Sequence, residues 1–320
     1  MDRDPEGLEP AMIVFCLPQH RALLPAELDG ESEPVLGSCR FGRFSDGELW
    51  LELDDPAEGR DCVVLGSLAP PDEQTLSTLL LAHTLRRAGA RRVLVLAPYL
   101  GYARQDSAQP GHSLGAAWAG ALLQAAGVEE VITVDVHSSA AKACFPVPLT
   151  SLSPAHLFAA ELRRGSLEGL TVVAPDEGAV DRCAGVAAAA GIQAPVAYLH
   201  KQRTAAGVVH HACVGEVGSR VVLVDDILDT GGTLLSACTE LRRAGAREIS
   251  VMVTHATLSG ERWRELPAAG VRRIHVTDSV PGVRERGRGV LEVLDIAPLL
   301  MKALVASAAP RLTPPGTGLR

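Results

Sequence analysis

Aromatic residues are scarce, making up 3% of the 320 residues although 47% of the chain is hydrophobic. A core of that make-up has to be filled by Ala, Val and Leu, which suits a parallel sheet held between Ala-rich helices. Positive charge is also short, with 30 Lys and Arg against 38 Asp and Glu and a net charge of −8. No overall basic field exists to recruit nucleic acid or an anionic membrane, so any phosphate site has to be local. No apolar run approaches the ~20 residues that span a bilayer, and the opening Met-Asp-Arg-Asp-Pro-Glu is unlike a signal peptide. A cytosolic chain with no membrane partner is expected. The seven cysteines are odd in number and carry no Cys-x-x-Cys spacing, which speaks against a disulfide framework or a cysteine zinc site and for reduced, mostly buried thiols.

What is present centres on Val221 to Thr233, Val-Val-Leu-Val-Asp-Asp-Ile-Leu-Asp-Thr-Gly-Gly-Thr. Four apolar residues, three of them β-branched, predict a buried parallel strand that runs into three carboxylates and a small-residue turn, with an apolar helix over 234–244 directly behind. A strand, a small-residue loop and a helix start make an anion site, because the first helical turn leaves backbone N–H groups unpaired and partly positive. Gly231 and Gly232 let the backbone approach a phosphate, and Thr230 and Thr233 can donate to its oxygens. Carboxylates repel that phosphate, so Asp225 and Asp226 are expected to face the vicinal hydroxyls of a sugar.

Around this stretch the chain alternates strand and helix. Strands are expected at 12–17, 63–66, 93–97, 131–135, 171–174, 195–199, 221–224, 249–254 and 273–277. Helices are expected at 72–88, 113–126, 153–164, 178–190, 234–244, 261–267 and 296–306. That rhythm predicts an α/β fold of two doubly wound parallel-sheet domains. The segment 41–53 alternates apolar residues around Asp46-Gly47 and reads as a hairpin. Pro, Ser and Thr over 145–153 mark a linker, giving a tail at 1–10, domains at 11–148 and 149–308, and a tail at 309–320. The last helix is expected to return to the first domain.

Val-Asp-Asp-Ile-Leu-Asp-Thr-Gly-Gly-Thr resembles the phosphoribosyl pyrophosphate (PRPP) loop of phosphoribosyltransferases and ribose-phosphate pyrophosphokinases. The order of further motifs from about 41 to 306 resembles the second family. The resemblance implies domains of the phosphoribosyltransferase type and a diphosphokinase that moves the β,γ-pyrophosphoryl group of ATP to the anomeric hydroxyl of ribose 5-phosphate. It implies that Asp225, Asp226, Asp229, Thr230, Gly231, Gly232 and Thr233 hold the sugar phosphate. Arg-Phe-Ser-Asp-Gly-Glu at 43–48 and Tyr-Ala-Arg-Gln-Asp at 102–106 match ATP-site stretches, implying Phe44, Asp46, Glu48, Arg104, Gln105 and Asp106 as nucleotide contacts, partly across a subunit contact. Asp-Val-His at 135–137 and Pro-Asp-Glu-Gly at 175–178 imply His137 and Asp176 at Mg²⁺. Imidazole is not the oxygen ligand that Mg²⁺ prefers, which leaves a supporting place for His137 open.

Lys201 and Arg203, in Lys-Gln-Arg before a stretch at 205–207 expected to be mobile, imply the two cations that stabilise the transferred group. The similar segments 254–260 and 277–281 imply support for the sugar-phosphate floor. A homo-oligomer, of the dimer or hexamer-of-dimers type, is implied as well. The chain departs from the family after Asp106, where Ser-Ala-Gln-Pro-Gly-His stands in place of several basic residues, and at its first strand, which reads Phe-Cys-Leu-Pro-Gln instead of Ser-Gly-Asn. Two other readings stay open: a phosphoribosyltransferase that consumes PRPP, and a non-catalytic regulatory paralogue that binds sugar phosphate.

Overall fold

Unbroken apolar runs such as Met-Ile-Val-Phe at 12–15 and Val-Leu-Val-Leu at 93–96 form strands whose two faces are both covered, and they set the architecture. The computed structural model describes residues 12–25, 34–204 and 207–308, without side chains over 203–208. Both expected tails, and residues 205–206 of the stretch expected to be mobile, lie outside the described residues.

The first half comprises β1 (Met12–Cys16), β2 (Val35–Gly37), β3 (Cys39–Arg43), β4 (Leu49–Leu53), β5 (Asp61–Leu65), α1 (Asp72–Arg87), β6 (Arg92–Ala97), α2 (Gly115–Ala125), β7 (Glu130–Val134), α3 (Ser139–Ala143) and β8 (Leu149–Leu152). Six strands form a parallel sheet in the order β2-β1-β5-β6-β7-β8. The hairpin read at 41–53 is present as the antiparallel pair β3–β4, which stands apart from that sheet.

The second half comprises α4 (Ala155–Leu162), β9 (Leu170–Ala174), α5 (Val180–Ala190), β10 (Ala197–Thr204), β11 (Gly207–Val214), β12 (Arg220–Leu228), α6 (Gly232–Arg243), β13 (Glu248–Ala256), β14 (Val271–Thr277), α7 (Val283–Arg286), β15 (Glu292–Leu294) and α8 (Ala297–Ala308). Its seven strands run β11-β10-β9-β12-β13-β14-β15, parallel except for β10–β11. The chain leaves β9 toward β10 on one side and resumes at β12 on the other. The crevice at the carboxyl ends of β9 and β12 is therefore the place where such a sheet takes a ligand.

Each sheet is sandwiched. Phe15, Val64, Val95 and Leu123 pack on one face of the first sheet, and Met12, Val14, Leu94 and Leu96 on the other. Ile296, Leu300 and Leu304 join the second of these clusters, so the last helix does return to the first half. One boundary is corrected. Leu149–Leu152 pairs with β7, so the first sheet continues beyond 148 and the chain passes to the second half only after Leu152. Pro146 and Pro148 gave this segment the look of a linker, but neither lies inside the paired residues. Ala69, Tyr99 and Val280 form a small buried contact with Ile227 that joins the halves beside the crevice.

Candidate active site

A cleft of about 410 Å³ opens at the carboxyl ends of β9 and β12 and is lined by the whole of 225–234 together with Arg104, His137, Asp176, Arg182 and Lys201. The strand β12 carries Asp225 and Asp226 into it, and α6 begins at its floor. The N-cap residue Gly231 offers no side chain to cap that helix, and apart from a long contact from the Gly232 N–H to Thr230 its first-turn N–H groups face the cleft. Gly231 sits at φ +85°, and a Cβ there would lie 2.6 Å from the Trp263 Cα, so its missing side chain is required by packing beneath the loop. Gly232 differs. The nearest atom to a Cβ there is 3.5 Å away, so protein packing does not demand glycine and the freed space belongs to the cleft.

The two adjacent acids are not equivalent. Asp225 keeps an edge on the cleft and accepts the Asp226 backbone N–H at 2.9 Å. Burial, then the neighbouring Asp226 charge, raises its pKa well above the ordinary carboxylate range. Asp226 is only 6% exposed. Burial pushes its pKa up too, but the His137 hydrogen bond and the Arg182 charge outweigh that and hold it low. Its Oδ2 lies 2.6 Å from His137 Nδ1 and 3.8 Å from Arg182 Nη2. A carboxylate can only accept, so His137 donates from Nδ1, which fixes the ring and leaves Nε2 for another partner.

Asp229 reaches the other half of the molecule, accepting from Arg104 Nη1 at 2.8 Å. Burial raises its pKa, and hydrogen bonds from Ser259, Arg104 and Thr257 lower it by more. Lys201 stands at the bulge between His200 and Lys201 where β10 and β11 change register, and its Nζ donates to Asp176 Oδ2 at 2.8 Å. That bulge turns the ammonium into the cleft. Arg203 lies in β10 opposite Val208, but its side chain is outside the described residues. Thr230 and Thr233 both line the floor, and Thr230 Oγ1 accepts from the Gly232 N–H at 3.4 Å.

The expected nucleotide contacts split into two groups. Arg104 is in the cleft, while Gln105 borders an adjoining pocket with Tyr102 and Trp118 and its Oε1 accepts from Ser113 at 2.7 Å. Asp106 accepts a short hydrogen bond from Ser138. Phe44, Asp46 and Glu48 do not line the cleft. They occupy the β3–β4 turn, where Asp46 accepts the Glu48 N–H at 3.0 Å and Phe44 is 59% exposed.

Arg182 escaped the sequence reading. Its Nε donates to both oxygens of Asp135 at 2.8 and 3.1 Å, and Asp135 also receives a short hydrogen bond from Thr254 of β13. Burial lowers the Arg182 pKa, but Asp135 and Asp226 more than offset it, so the guanidinium stays charged in a largely enclosed place. The available signal was a single cation in the Ala-rich run 180–190, one turn after Pro-Asp-Glu-Gly. Asp135 itself adopts φ +45°, and Tyr102 at +63° and Leu258 at +54° share that conformation in the loops after β6 and β13. Left-handed backbone at three non-glycine positions near one cleft is the kind of strain that functional sites hold.

Comparison with known proteins covers both halves. Residues 12–127 match the model of the N-terminal domain of ribose phosphate pyrophosphokinase, and 155–280 match the phosphoribosyl transferase domain. A ribose-phosphate pyrophosphokinase of Bacillus caldolyticus is 33% identical over 84% of this chain and 86% of its own length. One from Maricaulis maris is 36% identical over 84% and 88%. The crystal structure of phosphoribosylpyrophosphate synthetase from Mycobacterium smegmatis superposes with a TM-score of 0.81 at 29% identity, covering 92% of this chain and 98% of that one. Two α/β halves with a cleft floored by a PRPP-type loop, and relatives matched along most of their length, place this chain in the ribose-phosphate pyrophosphokinase family.

Proposed function

We propose that the cleft binds ribose 5-phosphate and transfers to its anomeric oxygen the β,γ-pyrophosphoryl group of ATP, giving PRPP and AMP. The observation that carries this reading is the single cleft in which Lys201, Asp176, His137 and Arg104 converge on residues 225–234. The 5-phosphate sits on the α6 N-terminus, with Thr230, Thr233 and the open face of Gly232 around it. Asp225 accepts from the ribose hydroxyls, and Asp226 shares that role with the oxygen not given to His137.

The bond formed joins the anomeric oxygen to the β-phosphorus. The bond broken is that between the β-phosphorus and the oxygen bridging it to the α-phosphorus, so AMP leaves with that oxygen, the hydroxyl proton passes to solvent, and no covalent enzyme intermediate forms. Such chemistry needs positioning and charge neutralisation. Lys201, released from Asp176 when the phosphates enter, supplies a positive charge to the moving group, and Arg203 is assigned the same task. The donor set suits Mg²⁺ through its oxygens. Asp176 and Asp225, carboxylates on the cleft wall, would hold the ion, and His137, fixed by Asp226, would support it from beside them. Mg²⁺, when bound, neutralises phosphate charge and aligns the phosphates.

Phe44, Asp46 and Glu48 are exposed on a turn outside the cleft, so they are assigned to the ATP site of a neighbouring subunit in a homo-oligomer. Among the described residues no helix is long and apolar enough to cross a membrane. Incubating the full chain with Mg²⁺, ribose 5-phosphate and ATP, and following PRPP and AMP, tests the reading. Equimolar formation of both products is expected. Ribose 5-phosphate binding without turnover on any nucleoside triphosphate would instead make it a regulatory sugar-phosphate binder. The missing basic residues after Asp106 are the feature that favours that second reading.

A further inference from the structure

Away from the cleft, three side chains from three elements meet on the face of the second sheet that α4 and α5 cover. His275 on β14 and Glu292 on β15 are direct neighbours in register, and Glu161 comes from α4 above them. His275 is 2% exposed. Its Nδ1 makes no hydrogen bond, although Glu292 Oε2 stands 3.4 Å away. One ligand atom from each of the three residues lies within 4.8 Å of the other two. An unpartnered buried nitrogen facing two acids, one of them Glu161 with 10% side-chain exposure, is expensive to leave as it is.

We infer that Glu161, His275 and Glu292 form a binding site for a divalent transition-metal cation of the zinc class, separate from the catalytic cleft. One imidazole nitrogen and two carboxylate oxygens form a donor set for Zn²⁺ or Co²⁺, whereas Mg²⁺ and Ca²⁺ favour oxygen alone. With metal–ligand bonds of about 2.1 Å, tetrahedral donors stand roughly 3.4 Å apart, which the His275–Glu292 pair already satisfies. Glu161 closes the remaining gap by side-chain rotation, giving up the 3.0 Å contact with Arg164, a side chain that is 77% exposed and free to turn to water.

The groups facing the imidazole are Glu292, Glu161, Arg273 and Arg164, and metal binding takes the ring in its neutral form, with the Nδ1 lone pair turned toward the two acids. Glu292, half exposed at the sheet edge, provides the entry path and leaves a fourth position for water. The ion ties α4 to the last two strands of the sheet, directly before the chain turns into α8. It therefore acts as a clamp on the structure and takes no part in turnover.

The full chain, freed of metal by a chelator and titrated with Zn²⁺, tests this by difference, because the cleft binds divalent ions as well. The wild type is expected to take up one equivalent more than His275→Ala or Glu292→Gln. With Co²⁺ it is expected to show a visible d–d band that both variants lack. Zn²⁺ should raise the wild-type Tm by roughly 5 °C and leave the Tm of Glu292→Gln unmoved. Turnover with Mg²⁺ should be the same in all three proteins. Glu292→Gln is half exposed, so it keeps the test valid if His275→Ala folds poorly. Equal metal uptake by wild type and Glu292→Gln, or an equal Tm rise in both, overturns the site.

Discussion

Residues 225–233 and the hairpin turn at 44–48 answer to the same family resemblance, yet they sit in opposite physical circumstances. The first is lined by side chains of this chain. Trp263 lies under Gly231, His137 and Arg182 hold Asp226, and Arg104 reaches across from the other half to Asp229. The second is bare, with Phe44 open to solvent and Asp46 closing only its own turn. On the proposed reading, the first is a sugar-phosphate site built from one chain and the second a nucleotide contact that waits for a neighbouring subunit. The two regions should therefore respond differently to the same kinds of change.

The largest effect is expected inside the cleft. Lys201→Ala should lower kcat by about 10²–10³, as loss of one preorganised donor to a transition state does, with the affinity for ribose 5-phosphate changed less than about two-fold. Steady-state kinetics beside direct binding measures this, and an equal loss in both would move Lys201 from the transferred group to ground-state binding.

Next is Arg182→Met, which strands Asp135 and Asp226 as enclosed charges and should cost about 3–5 kcal/mol in a denaturant titration. A comparable change in the hairpin, Arg43→Met, removes an exposed ion pair with Glu73 and an exposed hydrogen bond to the Gly47 carbonyl, and should cost less than about 1 kcal/mol.

Protonation sharpens the comparison from the other side. His20 is buried in the first half beside Ser67 Oγ at 2.9 Å, and burial lowers its pKa from 6.5 to about 4. The folded chain then holds fewer protons than the unfolded one between these values. The His20 contribution is complete above pH 6.5 and is lost as the pH falls toward 4, by about 3 kcal/mol in all. Asp226 and Asp229, held below the ordinary range, give up theirs only below about pH 4. Asp225, raised above that range, works in the opposite direction, so the His20 share is read by difference: between pH 7 and 4 the denaturant midpoint of His20→Gln should fall less than that of the wild type.

The smallest effect separates two adjacent glycines. Gly231→Ala meets both a left-handed φ and Trp263 and should cost about 2 kcal/mol of stability. Gly232→Ala meets neither and should leave Tm within about 1 °C while weakening ribose 5-phosphate binding. Thermal melts and calorimetry on both variants decide this.

What could be read from the residues was local in origin. The strand, acids and turn of 221–233 and the hairpin around Asp46-Gly47 are each written in a dozen consecutive residues. Contacts between distant segments were not legible. Arg182 is an ordinary helix residue until Asp135, 47 positions earlier, is brought beside it, and Asp226 becomes sealed only because His137 lies 89 positions upstream. β11 escaped because Gly207–Val214 lacks a strict apolar alternation and is a strand by virtue of pairing with β10. The three-residue strands β2 and β15 are too short to carry a period and exist because an adjacent strand offers an edge.

Calorimetric titration of ribose 5-phosphate alone, without nucleotide, reaches the central claim most directly. One site per chain is expected, weakened at least ten-fold by Asp225→Ala and unchanged by Phe44→Ala. Undiminished binding by Asp225→Ala, or a loss with Phe44→Ala as large as with Asp225→Ala, would contradict a sugar-phosphate site built from this chain's own loop.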